Sequence, residues 1–214
     1  MDYKFISETQ LFSGADEKET ERIINSAGAY TRHYGKEEII LREGTIVSAA
    51  AIVLSGRVRI EQIDVWGNRN IISYVLPGEM FAESYACARD VVLMVDVSAA
   101  EPSEILFMDI NRLIGSDNIM LVKNLLSIAA EKNINLSRKI THTAAKTKRG
   151  RVLSFLSDTA LQKGSRSFTI PLSRQQMADY LCVDRSALSN ELSKMASEGL
   201  IEYKKNRFVI LDND

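Results

Sequence analysis

The sequence predicts an α+β fold in three parts: an antiparallel β domain over residues 1–115, a long helix over 116–144 and a winged helix-turn-helix over 145–214. Three observations predict it. Residues from about 30 to 110 alternate apolar and polar positions between glycine-marked turns, as strands of an antiparallel sheet do. No Pro or Gly interrupts the stretch from Ser116 to Ala144. Past Pro171, a capped helix, a tight turn and a second helix run into two short strands.

Taken in order, Asp16 to Ala27 reads as a short amphipathic helix. Ile39-Ile40-Leu41, Ala51 to Leu54, Val58 to Glu61, Ile71 to Val75 and Ile105 to Met108 read as strands. Glu43-Gly44, Ser55-Gly56, Trp66-Gly67-Asn68 and Pro77-Gly78 supply the turns, and Glu37-Glu38 beside a turn reads as solvated. A chain of 214 residues, 45% hydrophobic and 26% charged, is long enough for one large or two modest domains of a globular protein. No run approaches the ~18 apolar residues of a membrane span, and Met1 to Phe5 lack a signal peptide's regions. Cys87 and Cys182 show no ligand spacing, so a cytoplasmic protein with reduced thiols is expected.

The long helix carries a heptad seam. Ile119, Val122, Leu126, Ala129, Asn133, Leu136, Ile140 and Thr143 are spaced alternately three and four residues apart. Ile119, Leu126, Asn133 and Ile140 take the a positions, and a single Asn at a fixes a parallel two-stranded register. A parallel homodimer is therefore expected, with Val122, Leu126, Ala129, Asn133, Leu136 and Ile140 at its centre. A second line, Leu121, Leu125 and Ile128, suits packing onto the β domain. The alternative is a helix packed only on its own domain, with Asn133 exposed.

In the last part, Ser173 caps a helix and Gln176 completes a capping box. Met177, Ala178 and Leu181 face inward, Cys182-Val183 turns, and Asp184 caps a second helix that buries Leu188, Leu192 and Met195. Arg185, Ser186, Ser189 and Asn190 fall on the opposite side, residue types suited to base edges in a major groove. Ser173, Arg174 and Gln175 at the first helix and Lys194 on the second join them as candidate DNA contacts. Gly199 ends the helix, and Leu200 to Tyr203 and Phe208 to Leu211 form a hairpin around Lys204, Lys205 and Arg207, a wing placed for phosphates. Residues 145–214 hold 12 Lys/Arg against 8 Asp/Glu, while the whole chain carries −1. The basic end thus suits nucleic acid and the acidic remainder avoids it. An ordinary two-helix hairpin with a solvated polar face is the plainer alternative.

Taken as a whole, the chain resembles the Crp/Fnr transcription regulators. The resemblance rests on Leu54-Ser55-Gly56-Arg57-Val58, Leu76 to Glu83, Gly150-Arg151-Val152 and the helix-turn-helix through Gly199-Leu200-Ile201. It implies an N-terminal β-roll (a double-stranded β-helix), a dimerisation helix, double-stranded palindromic DNA as a partner, and RNA polymerase as another. Members that bind cyclic nucleotides carry Gly-Glu, then Arg-Ser about ten residues on, where the Arg neutralises the phosphate and the Glu holds the ribose. Here Ala82-Glu83, followed by Ser84, and Leu93-Met94 stand at those positions, and Leu136-Ser137 stands at the family's Thr-Ser pair on the dimer helix. Leu93 brings no cation to a buried phosphate. Cyclic AMP and cyclic GMP are therefore not expected as effectors, and the effector is unassigned. In the resembling recognition helix, Arg185, Ser186 and Asn190 take the base-reading positions held elsewhere by Arg, Glu and Arg.

No cofactor is evident. The cysteine set of the iron–sulfur members is missing from the N-terminus, and His33 and His142 read as surface residues rather than haem ligands. Cys87 reads as a buried structural thiol, with a thiol sensor in the cassette segment as the alternative. No nucleophile elbow, phosphate loop, HExxH or Cys-x-x-Cys occurs, so an enzyme is not expected. The rival reading is a β-roll ligand-binding or interaction module without regulated DNA binding.

Overall fold

A computed structural model describes residues 1–63, 66, 69–88, 90–115 and 118–211. Gly67 and Asn68 of one expected turn, Ser116 at the expected start of the long helix, and the last three residues of the C-terminal module lie outside the described residues. The chain forms two units, Met1–Glu131 and Lys132–Asp214.

The first unit opens with α1 (Tyr3–Ser7), a 3-10 turn (Gln10–Phe12) and α2 (Glu17–Ser26), whose N-cap Asp16 accepts from the Glu19 amide. Among the described residues eight strands follow: β1 (Tyr30–Tyr34), β2 (Ile39–Leu41), β3 (Ala49–Ser55), β4 (Val58–Ile63), β5 (Arg69–Val75), β6 (Met80–Phe81), β7 (Asp96–Ala99) and β8 (Ser103–Asp109). They make two antiparallel four-stranded sheets, ordered β1-β8-β3-β6 and β2-β7-β4-β5. Every strand expected from the sequence is present, as is the expected helix at α2. Strand alternation assigns the cores. Ala51 and Val53 of β3 join Val58, Phe81, Val97, Ile105 and Phe107 between the sheets. Ala50 and Ile52 face the other way, into Ile6, Phe12, Ile24, Leu106 and Met108.

The β3–β4 hairpin needs its glycine. Gly56 has φ +82, and a Cβ there would stand 2.3 Å from the Pro102 carbonyl oxygen. Only glycine combines that dihedral with so close a backbone approach.

Two short helices, α3 (Glu83–Cys87) and α4 (Ile110–Ile114), precede α5 (Ile119–Ala144). The first turns of α5 bury Leu121, Leu125 and Ile128 against the helical side of the β domain, while Ile119 and Leu126 remain 69% and 68% exposed. This burial is why the boundary between units falls inside α5 and not at either end of it.

The second unit holds the rest of α5, then α6 (Lys148–Lys163), β9 (Ser167–Thr169), α7 (Arg174–Tyr180), α8 (Arg185–Ser197), β10 (Ile201–Lys204) and β11 (Arg207–Ile210). Its sheet runs β10-β11-β9, so the expected hairpin gains a third strand. One core gathers Val152 and Leu156 of α6, Phe168, Met177, Ala178, Leu181, Leu188, Leu192, Met195 and Phe208. Cutting Leu188 or Leu192, both fully buried, back to Ala removes about 2–5 kcal/mol.

Candidate nucleic-acid interface

The turn between α7 and α8 is built from local hydrogen bonds. Ser173 Oγ accepts from the Gln176 amide at 3.2 Å, and Gln176 Oε1 accepts from the Ser173 amide at 2.8 Å. This is the reciprocal cap expected from the sequence. Cys182 then takes φ 52, the left-handed conformation that turns the chain into α8. Asp184 occupies the N-cap position of α8, but its side chain makes no capping bond and is 83% exposed beside Lys148, 4.0 Å away. The expected Asp184 cap is therefore positional only, because its carboxylate points to solvent and not back over the helix.

On α8, Leu188, Leu192 and Met195 are fully buried, while Arg185, Ser186, Asn190 and Lys194 are exposed and Ser189 is half-buried. Ser173 and Gln175 are exposed at the start of α7, where the Gln175 amide donates to Asp179 at 2.8 Å. In the wing, Lys204, Lys205 and Arg207 are exposed, with Lys205 at φ 53 in the turn. The second unit thus presents polar and basic side chains from α7, α8 and the wing, all fixed to one core.

Arg174 differs from its neighbours. Its Nη2 donates to the Lys205 carbonyl at 2.8 Å, and its guanidinium lies 5.4 Å from the Tyr203 ring centroid and 5.3 Å from that of Phe208. Burial lowers its pKa from the usual arginine value. Arg174, a candidate DNA contact, also spans from α7 to the wing.

Two further arginines brace the motif without having been read as functional. Arg151 Nη1 donates to the carbonyls of Leu181 at 3.2 Å and Cys182 at 2.9 Å, and its Nε donates to Ala145. Arg149 forks onto Glu198 at the end of α8 and stands 3.8 Å from Glu191. Its guanidinium holds the Glu198 carboxyl below the usual carboxylate value. Gly150-Arg151-Val152 stood out in the sequence, but periodicity carries no sign of which distant carbonyls a guanidinium will meet.

His142 is not a surface residue. It is 3% exposed, hydrogen-bonded through Nδ1 to the Tyr180 hydroxyl at 2.9 Å, with Nε2 3.2 Å from Asp158 Oδ2. Burial and then the Asp158 charge raise the Tyr180 pKa, so the phenol keeps its proton. His33, by contrast, is exposed as expected. A cleft of about 290 Å3 beside the cluster is lined by Asn133, Ile134, Ser137, Arg138, Thr141 and Ser154, with His142 and Asp158.

In the first unit, Ala82 precedes α3 at φ 63, a left-handed position, and Glu83 is 2% exposed with Ser84 Oγ donating to its Oε1 at 3.1 Å. Leu93 is 2% exposed and Met94 is 62% exposed. Leu136, 59% exposed, and Ser137 belong to the second unit. Arg89 lies outside the described residues. Two readings change here. Cys87 is exposed and not buried, because α3 packs through Glu83 and Ala86. Partial burial and then the Glu83 charge still push its thiol pKa up, away from a reactive thiolate. Glu37 and Glu38 are not simply solvated. Arg59 Nη2 donates to Glu37 at 2.8 Å, and Glu38 accepts from the Gly35 amide at 2.8 Å. Arg59 also reaches buried Glu61, which accepts from Ser98 at 2.9 Å; Arg59 Nε lies 2.9 Å from Glu61 Oε2 but out of line for a hydrogen bond.

Comparison with known proteins matches residues 31–115 to a cyclic nucleotide-binding domain and residues 150–214 to a Crp-like helix-turn-helix domain. The chain is 25% identical over 194 residues to the transcriptional activator protein FnrL of Cereibacter sphaeroides, covering 85% of this chain and 76% of that one. It is 24% identical over 172 residues to the nitrogen fixation regulation protein FixK of Rhizobium meliloti, covering 79% and 77%. Among solved structures, OCPA-complexed CprK shares the fold with a TM-score of 0.68 at 15% identity, over 90% of this chain and 92% of that one.

Proposed function

We propose that this chain, which belongs to the Crp/Fnr family of transcription regulators, binds palindromic DNA as a parallel homodimer and answers a signal other than a cyclic nucleotide. The DNA-binding assignment is carried by one observation: a reciprocally capped helix-turn-helix that buries Leu188, Leu192 and Met195 and leaves Arg185, Ser186 and Asn190 exposed beside a basic wing. A recognition helix built this way presents its N-terminal side chains to base edges. Arg185 suits the two acceptors of a guanine, and Asn190 suits an adenine. Lys204, Lys205 and Arg207 supply phosphate contacts.

The exposed face of α5 supports the dimer. Ile119, Leu126, Leu136 and Ile140 are each more than half exposed, at heptad spacing with Asn133. Leu93 and Met94 support an effector without a phosphate, because neither supplies a cation. No described helix is long and apolar enough to cross a membrane. The regulator works in the cytoplasm, with RNA polymerase as a further partner and no catalytic role. The test is a gel-shift titration against duplexes selected from a random pool, with sedimentation of the complex. Two protomers on a palindrome are expected; no selection of any sequence would leave the rival reading, a ligand-binding or interaction module.

A further inference from the structure

We propose that His142 is a positioning residue for DNA binding, clamping the last turn of α5 to α6 and α7 and so fixing the recognition helix relative to the dimer helix. The proposal rests on the dimeric reading above. Three side chains from two helices converge on this one imidazole. Asp158 of α6 faces Nε2 at 3.2 Å, Tyr180 at the end of α7 meets Nδ1 at 2.9 Å, and Phe155 of α6 packs edge-on at 5.5 Å. The other charged groups around the cluster are Arg138, 4.0 Å from Asp158, and Lys139, whose ammonium lies 5.9 Å over the Tyr180 ring. The Gln162 amide donates to the same Asp158 oxygen and holds it in place.

Polar contacts at both ring nitrogens are what make a clamp. Nδ1 shares a hydrogen bond with the Tyr180 hydroxyl at 2.9 Å, and Nε2 stands 3.2 Å from Asp158 Oδ2 in a close polar contact. An apolar side chain at this place tolerates sliding. A buried imidazole does not, because a shift of α5 along or around its axis strands a polar group at 3% exposure. The setting is passed on through packing. Tyr180 ends α7, and Met177 and Ala178 of α7 share their core with Leu188 and Leu192 of α8. In a symmetric dimer each protomer's error appears on both sides of the axis, and half-sites must fall about one DNA turn apart. The clamp therefore sets half-site spacing, not contact with a single half-site.

The test uses the full chain with three duplexes derived from the selected sequence: the palindrome, the palindrome with its halves moved one base pair apart, and a single half-site. His142→Phe keeps the ring contact with Phe155 and removes the Tyr180 hydrogen bond and the Asp158 contact; Tyr180→Phe removes only the hydroxyl and guards against a folding defect. Both variants are expected to bind the half-site within about twofold of the parent, to lose on the order of tenfold on the palindrome, and to lose the parent's preference between the two spacings. Equal loss on half-site and palindrome, or an unchanged spacing preference, overturns the clamp. A parent that binds palindrome and half-site alike overturns the dimeric reading, and the clamp with it.

Discussion

The guanidinium of Arg174, at the first position of α7, donates to the carbonyl of Lys205 at 2.8 Å, so the helix-turn-helix itself holds the turn of its wing. The bond acts with two aromatic faces, since Tyr203 and Phe208 both lie within stacking distance of the same guanidinium.

This arrangement predicts that Arg174→Ala destabilises the C-terminal unit by about 1–2 kcal/mol, from one lost hydrogen bond and the lost ring contacts. Arg174→Lys recovers less than half of that, because an ammonium lacks the planar fork. Urea unfolding of both variants beside the parent measures it; full recovery by Lys would mean that charge alone matters at this position.

Base reading and phosphate contact separate in salt titrations. Arg185→Ala is expected to cost roughly 1–3 kcal/mol on the selected duplex and to relax its sequence preference. Lys205→Ala weakens all duplexes alike and lowers the salt slope by about one. Equal losses on selected and random DNA for both variants would contradict this division of roles.

Cyclic AMP and cyclic GMP are expected not to bind at micromolar concentration, because Leu93, 2% exposed, stands where a buried phosphate needs a cation. Isothermal calorimetry reads this directly. Micromolar affinity for either nucleotide would require another cation, with Arg89 on the same segment the first to replace.

Ala82 sits at φ 63 without the freedom of glycine. Ala82→Gly should relieve about 1 kcal/mol of left-handed strain and raise the melting temperature of the N-terminal unit. A lower melting temperature would show that the Ala82 methyl contributes more to packing than its backbone loses.

Asn133 is exposed on α5, at an a position between Leu126 and Ile140. Asn133→Ile is expected to raise the dimer's melting temperature while loosening its register, and so to uncouple operator affinity from the effector. Melting and operator binding are measured together on the variant and the parent. A less stable variant with unchanged regulation would put Asn133 outside the seam.

What the sequence determined by itself was whatever repeats or closes within a few residues. Alternation of period two marked β4, apolar runs between turn residues marked β3 and β8, and the three-four spacing of α5 separated its buried line, Leu121, Leu125 and Ile128, from its exposed one. The Ser173–Gln176 box was legible because both of its hydrogen bonds span three residues. Tertiary structure alone decided what distant partners impose. His142 looked like a surface residue until Asp158 and Tyr180 were folded onto it, the latter 38 positions away. Arg174 gave no sign of its bond to the wing, whose turn returns beside it 31 positions later. The short β9 had too few residues for a pattern and became a strand only by pairing with β11. The reason is the same in each case. A side chain's direction at a helix end or loop is set by desolvation and by whichever donor or acceptor the rest of the chain delivers there, and local spacing carries no trace of it.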